Sequence, residues 1–312
     1  MTTHTSTVQL IGRHSFNELL QQKTVWLFVI LFVLLVMMSA YLGWSANTTV
    51  DSIYTDAKQY LISTGATIPP NPVLDNSPLS MLRNLTVYFG LIGVLVAIVM
   101  GYQLIAEDRK SGVLPLIASR IRAKGEYTLA KIAVFSAVLA GLTALSLLIC
   151  SLVLALLPSI SVSVGQWIHL FEFHLLAYSY MLTFGFLTIG CTATAKKQSI
   201  ALLIPVSIWL IVTFILPSLT TNINPTAAIN PISTLAAVPD SEFFSLMSRY
   251  LTPISIAQNF DALSAQLLEY GPPSTTSPFI PMMSLIGGMS FSALFAVKAV
   301  RGMKMEKGDF NE

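Results

Sequence analysis

The chain has 312 residues, of which 54% are hydrophobic and only 10% are charged. Soluble domains carry roughly 25% charged residues, so the composition excludes an ordinary soluble protein and predicts an all-α integral membrane protein. The formal net charge is +2, and the basic residues are spread over several loops. Because no basic patch is formed, no nucleic-acid partner is expected.

The first 24 residues precede the first long apolar run and alternate apolar with polar side chains. This alternation predicts an interfacial elbow helix over residues 8–23 that lies along one leaflet of a membrane. The residues expected to face lipid are Phe16, Leu19 and Leu20, and those expected to meet lipid head groups are Arg13 and Lys23.

Six runs are long and apolar enough to cross a bilayer, which takes about 20 residues of helix. The predicted spans are residues 25–44, 85–106, 132–157, 171–192, 200–219 and 279–300. They form one transmembrane domain over residues 25–300, and a short tail follows over residues 301–312. The first run is too long for the core of a cleaved signal peptide and is therefore expected to remain as a span.

The distribution of Lys and Arg predicts the orientation of these spans. With six spans, both termini lie on the same side of the membrane. The segments on that side carry fourteen of the seventeen Lys and Arg residues, and the opposite segments carry only Lys58, Arg83 and Arg249. Basic loops remain in the cytoplasm, so both termini are expected there, in an inner (cytoplasmic) membrane.

The two long outer loops are predicted over residues 45–84 and 220–278. The first is rich in proline, and the second contains apolar residues at helical spacing that predict helices over 241–251 and 254–269. These helices either lie on the membrane surface or cap the bundle, or they dock an outer partner, and these interpretations stay open. The residues that would contact such a partner are Phe243, Tyr250 and Phe260.

The segment over residues 107–131 is more elaborate than a connection between two spans requires. It carries six of the seventeen basic residues. Its apolar residues are Val113, Leu114, Leu116, Ile117 and Ile121. This pattern predicts a short cytoplasmic helix that a soluble partner grips, and the alternative is a basic loop that anchors in anionic lipid. Gly112 permits unusual backbone angles where the second span ends.

The sequence motif in this segment resembles that of the permease subunits of ABC-2-type ABC transporters. In that family an acidic residue is followed by Ser-Gly-Thr-Leu, a Leu-rich turn, Ser-Arg-Pro and an aromatic residue shortly before Gly-Lys. The matching residues are Glu107, Ser111, Gly112, Leu114, Leu116, Ser119, Arg120, Tyr127 and Lys131, and the departures are Val113, Ile121 and Ala130. The most similar branch serves multicopper-enzyme maturation, including the copper-maturation permease of nitrous-oxide reductase.

This resemblance implies a six-span fold of the type V exporter kind, with an elbow helix and a coupling helix. It also implies cytoplasmic ABC ATPase subunits as partners, a second permease copy or a related permease, and export of a substrate. The residues that it assigns to ATPase coupling are Glu107, Gly112, Leu114, Leu116, Ile117, Ser119, Arg120, Arg122 and Tyr127. The rival functions are a permease that transmits ATPase motion to an outer partner, and a standalone membrane scaffold.

Several motifs of enzymes are missing from the sequence. No GxxxxGK[ST] phosphate loop occurs, so the chain is expected not to be an enzyme, and ATP hydrolysis is assigned to another polypeptide. No cofactor is expected. His169, Glu172 and His174 are close in sequence, but the helical rotation separates His174 from Glu172, so metal binding is disfavoured. The cysteines Cys150 and Cys191 both fall in apolar runs and are interpreted as packing residues.

Overall fold

A computed structural model describes residues 7–71, 77–120, 124–156, 161–221, 242–271 and 277–303 of the chain. Within these ranges every regular element is a helix and no strand occurs. The first helices are α1 (Thr7–Gln21), α2 (Lys23–Thr64), α3 (Pro78–Lys110), α4 (Leu114–Arg120) and α5 (Lys124–Leu156). The remaining helices are α6 (Val164–Thr194), α7 (Gln198–Thr220), α8 (Glu242–Leu251), α9 (Ile256–Leu267) and α10 (Phe279–Gly302).

Six of these helices, α2, α3, α5, α6, α7 and α10, are long and apolar enough to cross a membrane. Each corresponds to one predicted span, so the all-helical membrane fold with six spans is confirmed. The elbow helix and the two outer helices also form, as α1, α8 and α9. Residues 304–312 of the predicted tail lie outside the described residues, as do residues 222–241 and 272–276 of the second outer loop.

The first predicted outer loop differs from the prediction over half its length. Helix α2 continues past residue 44 and ends only at Thr64, where Gly65 adopts a left-handed φ of 70°. The amides of Gly65 and Ala66 donate to the carbonyls of Ile62 and Leu61, which closes the helix end. No proline or glycine interrupts residues 45–64, so nothing in this stretch stops the helix before Gly65.

Helix α6 lies at the centre of the bundle and packs against α3, α5, α7, α9 and α10. In its most apolar window 72% of the residues are buried, against 17% in α7 and in α10. Gly101 of α3 and Gly185 of α6 allow a close approach of these two helices, because a Cβ on Gly101 would come within 2.8 Å of the Gly185 carbonyl oxygen. Small residues at a helix contact are typical of membrane bundles. Most of the apolar surface of α7 and α10 is therefore not covered by other helices of the chain.

An aromatic cluster fills the bundle between α2, α3 and α6. The ring of Phe89 lies 5.0 Å from Phe32 and 5.8 Å from both Phe173 and His174, with edge-to-face geometry. Phe89 begins a π-helical turn in α3, and α7 contains a second such turn over Ile211–Ile215. The indole N–H of Trp209 donates to the Gly90 carbonyl at 3.2 Å and joins the two helices beside these turns.

The bundle has two chemically different ends. We call the end that holds α1, α4 and the junction of α3 with α5 the proximal end. The distal end holds α8, α9 and the start of α6. The predicted coupling residues lie at the proximal end, and the predicted outer contacts lie on distal helices.

Candidate coupling site at the proximal end

The turn between α3 and α4 depends on one glycine. Helix α3 ends at Lys110, and Gly112 takes a left-handed φ of 65° before α4 begins at Leu114. The amide and hydroxyl of Ser111 both lie 2.9 Å from the Glu107 carbonyl oxygen and donate to it, which closes the helix end. Any residue with a Cβ is strained at this φ. The predicted unusual backbone at Gly112 is therefore present in the structure.

A buried ion pair between the end of α3 and the start of α5 stabilises this turn. The Nζ of Lys131 lies 2.7 Å from Oδ2 of Asp108, and each side chain is only 1% exposed. The hydroxyl of Tyr127 donates to the same carboxylate oxygen at 2.6 Å, and Lys131 also donates to the Leu104 carbonyl at 2.9 Å. A buried charge is costly unless it is paired and hydrogen-bonded. The network therefore ties the last turn of α3 to the first turns of α5.

Arg109 extends the connection to the central helix. Its Nη1 donates to the carbonyl oxygens of Thr192 at 2.7 Å and Ala195 at 2.8 Å. These carbonyls lie at the C-terminal end of α6, where the backbone lacks helical donors and cations are favoured. Asp108 and Arg109 are neighbours in sequence, so one turn of α3 holds both α5 and α6.

Helix α4 presents its predicted coupling residues to different environments. Leu116 is 67% exposed, Ile117 is half-buried and Ser119 is exposed. Leu114 is fully buried in the core of the bundle. Leu114 therefore does not share an outward apolar face with Leu116, because two residues of helix rotate Leu116 about 200° away from Leu114.

Two further predicted contacts are less accessible than Leu116. Tyr127 is fully buried and engaged with Asp108, so it supports the turn and is inaccessible to a partner. Glu107 is half-buried. Arg122 and the side chain of Arg120 lie outside the described residues.

The elbow helix α1 packs against α5 and α3 through one stripe of side chains. The buried residues of this stripe are Ile11, Ser15 and Leu19, spaced four apart. Leu19, which the sequence assigned to the lipid-facing side, is only 2% exposed and belongs to the core. Four-residue spacing places it on the same face as Ile11 and Ser15. Phe16, Leu20 and Arg13 are exposed as expected.

A cleft of about 290 Å³ separates α1 from α4. Residues from both helices line it, together with Asp108 from the end of α3 and Val113 from the turn. Nearby, Glu18 of α1 contacts His14 at 3.2 Å. Burial raises the pKa of Glu18, and the negative charge of Asp108 raises it further. Two carboxylates therefore act on the same small region beside the cleft.

The distal helices divide the predicted outer contacts into two groups. Phe243 and Tyr250 lie on α8 and, like Leu246, are at least half exposed. Phe260 of α9 is buried, and its ring stacks on Tyr180 of α6 with centroids 4.3 Å apart. Phe260 is therefore a packing residue of the bundle, and the prediction that it contacts an outer partner is wrong for this reason.

A half-exposed polar cluster joins α9 to α6 at the distal end. Nδ1 of His169 lies 3.0 Å from Oε1 of Glu269, and the amide of Gln166 donates to Ser77 at 3.2 Å and to Glu269 at 3.4 Å. Burial alone would raise the pKa of Glu269, but hydrogen bonds from Ser77, His169 and Gln166 outweigh it and lower the pKa. Glu269 holds this position with a left-handed φ of 54°.

The three residues weighed for metal binding have different surroundings. His169 pairs with Glu269, whereas His174 is buried, with Nδ1 2.8 Å from the Leu170 carbonyl oxygen and Nε2 3.2 Å from Ser146 Oγ. Glu172 is exposed. Within the described part of the chain, no group of three His, Cys, Asp or Glu residues is arranged to hold a metal ion.

Asp108 is the functional residue that sequence reasoning missed. The acidic position of the motif was assigned to Glu107, but the ion pair with Lys131 is made by the next residue. A usable signal was present in the sequence, because Asp108 and Lys131 carry opposite charges at the ends of two consecutive spans. Such charges at membrane depth are rare and usually paired.

Two comparisons with known proteins bear on the chain. The model of the ABC-2 family transporter proteins matches residues 9–300, which is most of the sequence. No curated protein matches the chain.

Proposed function

The chain belongs to the ABC-2 family of transporter proteins, and on this premise we propose that its segment 107–131 is the surface through which an ATPase subunit drives export of a substrate. Membership makes the protein a multi-pass membrane permease of an ABC transporter, which associates with an ABC ATPase subunit. Because the chain lacks a phosphate loop, we assign ATP hydrolysis to that separate subunit.

The observation that carries this proposal is the contrast between the exposed surface of α4 and its rigid base. Leu116 is 67% exposed, whereas Asp108, only eight residues earlier, is held by Lys131 and Tyr127. An exposed apolar residue on a rigid support provides an anchor for a groove in a partner. Force applied to α4 passes through Asp108 to α5 and through Arg109 to α6.

For the orientation, we propose that the proximal end faces the cytoplasm of an inner-membrane protein. The support is the count of basic residues, fourteen against three, since basic loops are retained in the cytoplasm. Both termini then lie in the cytoplasm. A cysteine introduced in place of Ser119 should react with a membrane-impermeant thiol reagent only after the cells are opened. A cysteine introduced in place of Leu246 should react in intact cells.

For the assembly, we propose two permease halves with two ATPases. The support is the low burial of α7 and α10 in the single chain, which leaves apolar faces for lipid and for a second copy or a related permease. A substrate path at the junction of the two halves would open away from the ATPases, as required for export.

The coupling assignment is tested by replacing Leu116 with Asp. We expect the Leu116→Asp variant to insert and fold, because the side chain is exposed, but to lose co-purification with the ATPase. Leu246→Asp is the matched control, since Leu246 is 50% exposed on the distal helix α8, and it should retain the ATPase. An intact complex with Leu116→Asp, or equal loss with both variants, would contradict the assignment. Leu114 is unsuitable for this test because it is buried.

One distal feature favours a second candidate function, transmission of ATPase motion to an outer partner. Phe243, Leu246 and Tyr250 lie at helical spacing on α8 and are all at least half exposed. The resemblance of the chain to the branch that serves multicopper-enzyme maturation makes a metalloenzyme-maturation factor our candidate for that partner. Replacing Phe243 and Tyr250 together with Ser should preserve the ATPase complex and abolish maturation of the partner. Full maturation by this variant would leave export as the function.

A further inference from the structure

The cleft between α1 and α4 combines apolar walls with a polar floor. The apolar residues that line it are Leu10, Ile11, Val113, Leu116 and Ile117. The polar residues of the floor are Ser15 and Asp108, with Thr7 and His14 at the α1 side. Its volume of about 290 Å³ is near the lower limit of small-molecule pockets, roughly 300–1,000 Å³. The cleft therefore has room for one small polar group with an apolar stem.

Two buried oxygen atoms of the floor are left without hydrogen bonds. Asp108 and Ser15 are each 1% exposed, and neither Oδ1 of Asp108 nor Oγ of Ser15 has a partner among the described residues. Buried polar atoms are almost always satisfied in folded proteins. Two unsatisfied oxygens from different helices on one cleft floor indicate a site for a ligand that donates hydrogen bonds.

The local charges favour a cationic donor. Lys131 is engaged by the other carboxylate oxygen of Asp108 and by the Leu104 carbonyl. Glu18 adds a second carboxylate close enough for Asp108 to raise its pKa, and it contacts His14. A primary ammonium group has three N–H donors and no acceptor. It therefore has donors for both unpartnered oxygens, Asp108 Oδ1 and Ser15 Oγ.

We propose that the cleft binds the primary ammonium head group of a membrane lipid, of the ethanolamine kind. The flanks of α1 support a lipid as the source of this group. Phe16 and Leu20 are both more than 40% exposed beside the stripe that contains Ser15, so α1 lies where apolar side chains meet the bilayer surface. The exposed Leu10 then packs against the glycerol and upper acyl region of the same lipid. The bound lipid joins the elbow helix to α4.

Two lipids that differ only at the nitrogen provide the test. The full chain, purified with its ATPase, is reconstituted with equal amounts of phosphatidylethanolamine and phosphatidylcholine and analysed by native mass spectrometry. Phosphatidylcholine has the same charge at nitrogen but no N–H donor. We expect retention of the ethanolamine lipid by about tenfold over the choline lipid, the factor that one charge-assisted hydrogen bond provides. Equal retention of the two lipids would overturn the proposal.

A filled cleft provides the second arm of the test. Leu10→Trp places a larger side chain at a cleft position that is 58% exposed, and should abolish the preference while the ATPase stays bound. Leu152→Trp, at a 52% exposed position of α5 away from the cleft, should keep the preference. An unchanged preference in Leu10→Trp would overturn the proposal. Cross-linking of a cysteine at Leu10 to the ATPase, with neither lipid retained, would also overturn it and identify a protein occupant.

Since Leu10 is not among the residues proposed to dock the ATPase, failure of the lipid proposal and failure of the coupling assignment are distinguishable. Loss of lipid preference with the ATPase retained supports the lipid site alone. Loss of the ATPase in Leu116→Asp concerns the coupling surface. The two readouts are independent measurements on the same purified complex.

Discussion

Each end of the bundle holds a pair of titratable side chains in contact, and the two pairs have opposite surroundings; the distal pair is ionic only when His169 is protonated. At the proximal end Asp108 and Lys131 are 2.7 Å apart and each is 1% exposed. At the distal end His169 and Glu269 are 3.0 Å apart, with exposures of 42% and 32%. The separations of the charged atoms are nearly equal, so the difference between the pairs lies in solvent access.

Solvent access determines what each pair does for the protein. A buried charge that loses its partner has no water to replace it, whereas an exposed charge is solvated and screened. The proximal pair therefore makes the junction of α3 and α5 rigid, as a coupling element requires. The distal pair can open at little cost, because water replaces the lost contact.

The largest expected effect comes from removing one member of the proximal pair. Lys131→Met leaves the buried Asp108 carboxylate uncompensated and should destabilise the protein by about 3–5 kcal/mol. Thermal unfolding in detergent, followed by fluorescence-detected size exclusion, measures the loss. Adding Asp108→Asn to this variant removes the charge but keeps an acceptor for Tyr127, and should restore most of the stability. If Lys131→Met were as stable as the wild type, the buried pair would contribute no more to stability than the exposed one, and the contrast between the two ends would be wrong.

An intermediate effect is expected at Arg109. Arg109→Met leaves the carbonyls of Thr192 and Ala195 without this donor, at a cost of about 1–3 kcal/mol. We expect the ATPase to bind normally but ATP hydrolysis to be uncoupled from transport, because α6 is no longer held by the turn. Transport and hydrolysis are measured together in proteoliposomes. Arg301→Met, at an exposed proximal position, should leave the ratio unchanged, and an equal fall in both variants would contradict the prediction.

The smallest effect is expected at the distal pair. Glu269→Gln should cost less than about 1 kcal/mol, because the pair is partly exposed. The folded-state pKa of Glu269 is lowered from the ordinary 4.5. Its contribution to stability is therefore fully present above pH 4.5 and is lost as the pH falls through the lowered value. Unfolding temperatures of the wild type and the variant should converge below that value. A constant difference from pH 7 to strongly acidic pH would show that Glu269 acts without its charge.

The spans could be predicted because twenty consecutive apolar residues have few alternatives to a membrane helix. The end of α2 could not be placed as easily. Residues 45–64 are polar enough to lie in water, and the prolines that suggested a loop begin only at Pro69. Because helix continuation needs no apolar residue, composition separates membrane from water but does not mark where the helix ends.

The sequence motif was sufficient to locate the candidate site, but it did not predict how the side chains of the site are arranged. Leu114 and Leu116 are two residues apart, so a helical rotation of about 200° already places them on opposite faces of α4, and only the choice of the buried face depends on tertiary packing. The partners of Asp108 lie 19 and 23 residues later, in another helix. Such contacts depend on how three helices pack together, and the periodicity of a local stretch of sequence cannot predict that packing.

The unexpected length of α2 has a mechanical consequence. Its 42 residues make a rod of about 63 Å at 1.5 Å per residue, and a bilayer core covers only about 30 Å of it. The projecting half is braced, because Tyr54 donates to the Pro69 carbonyl at 2.8 Å and Asn71 donates to Asp51 at 2.9 Å. A tilt of about 10° at the membrane moves the far tip by about 5 Å over its roughly 30 Å arm. Helix α2 therefore has the dimensions of a lever that would convert a small rotation within the membrane into a larger displacement beyond it.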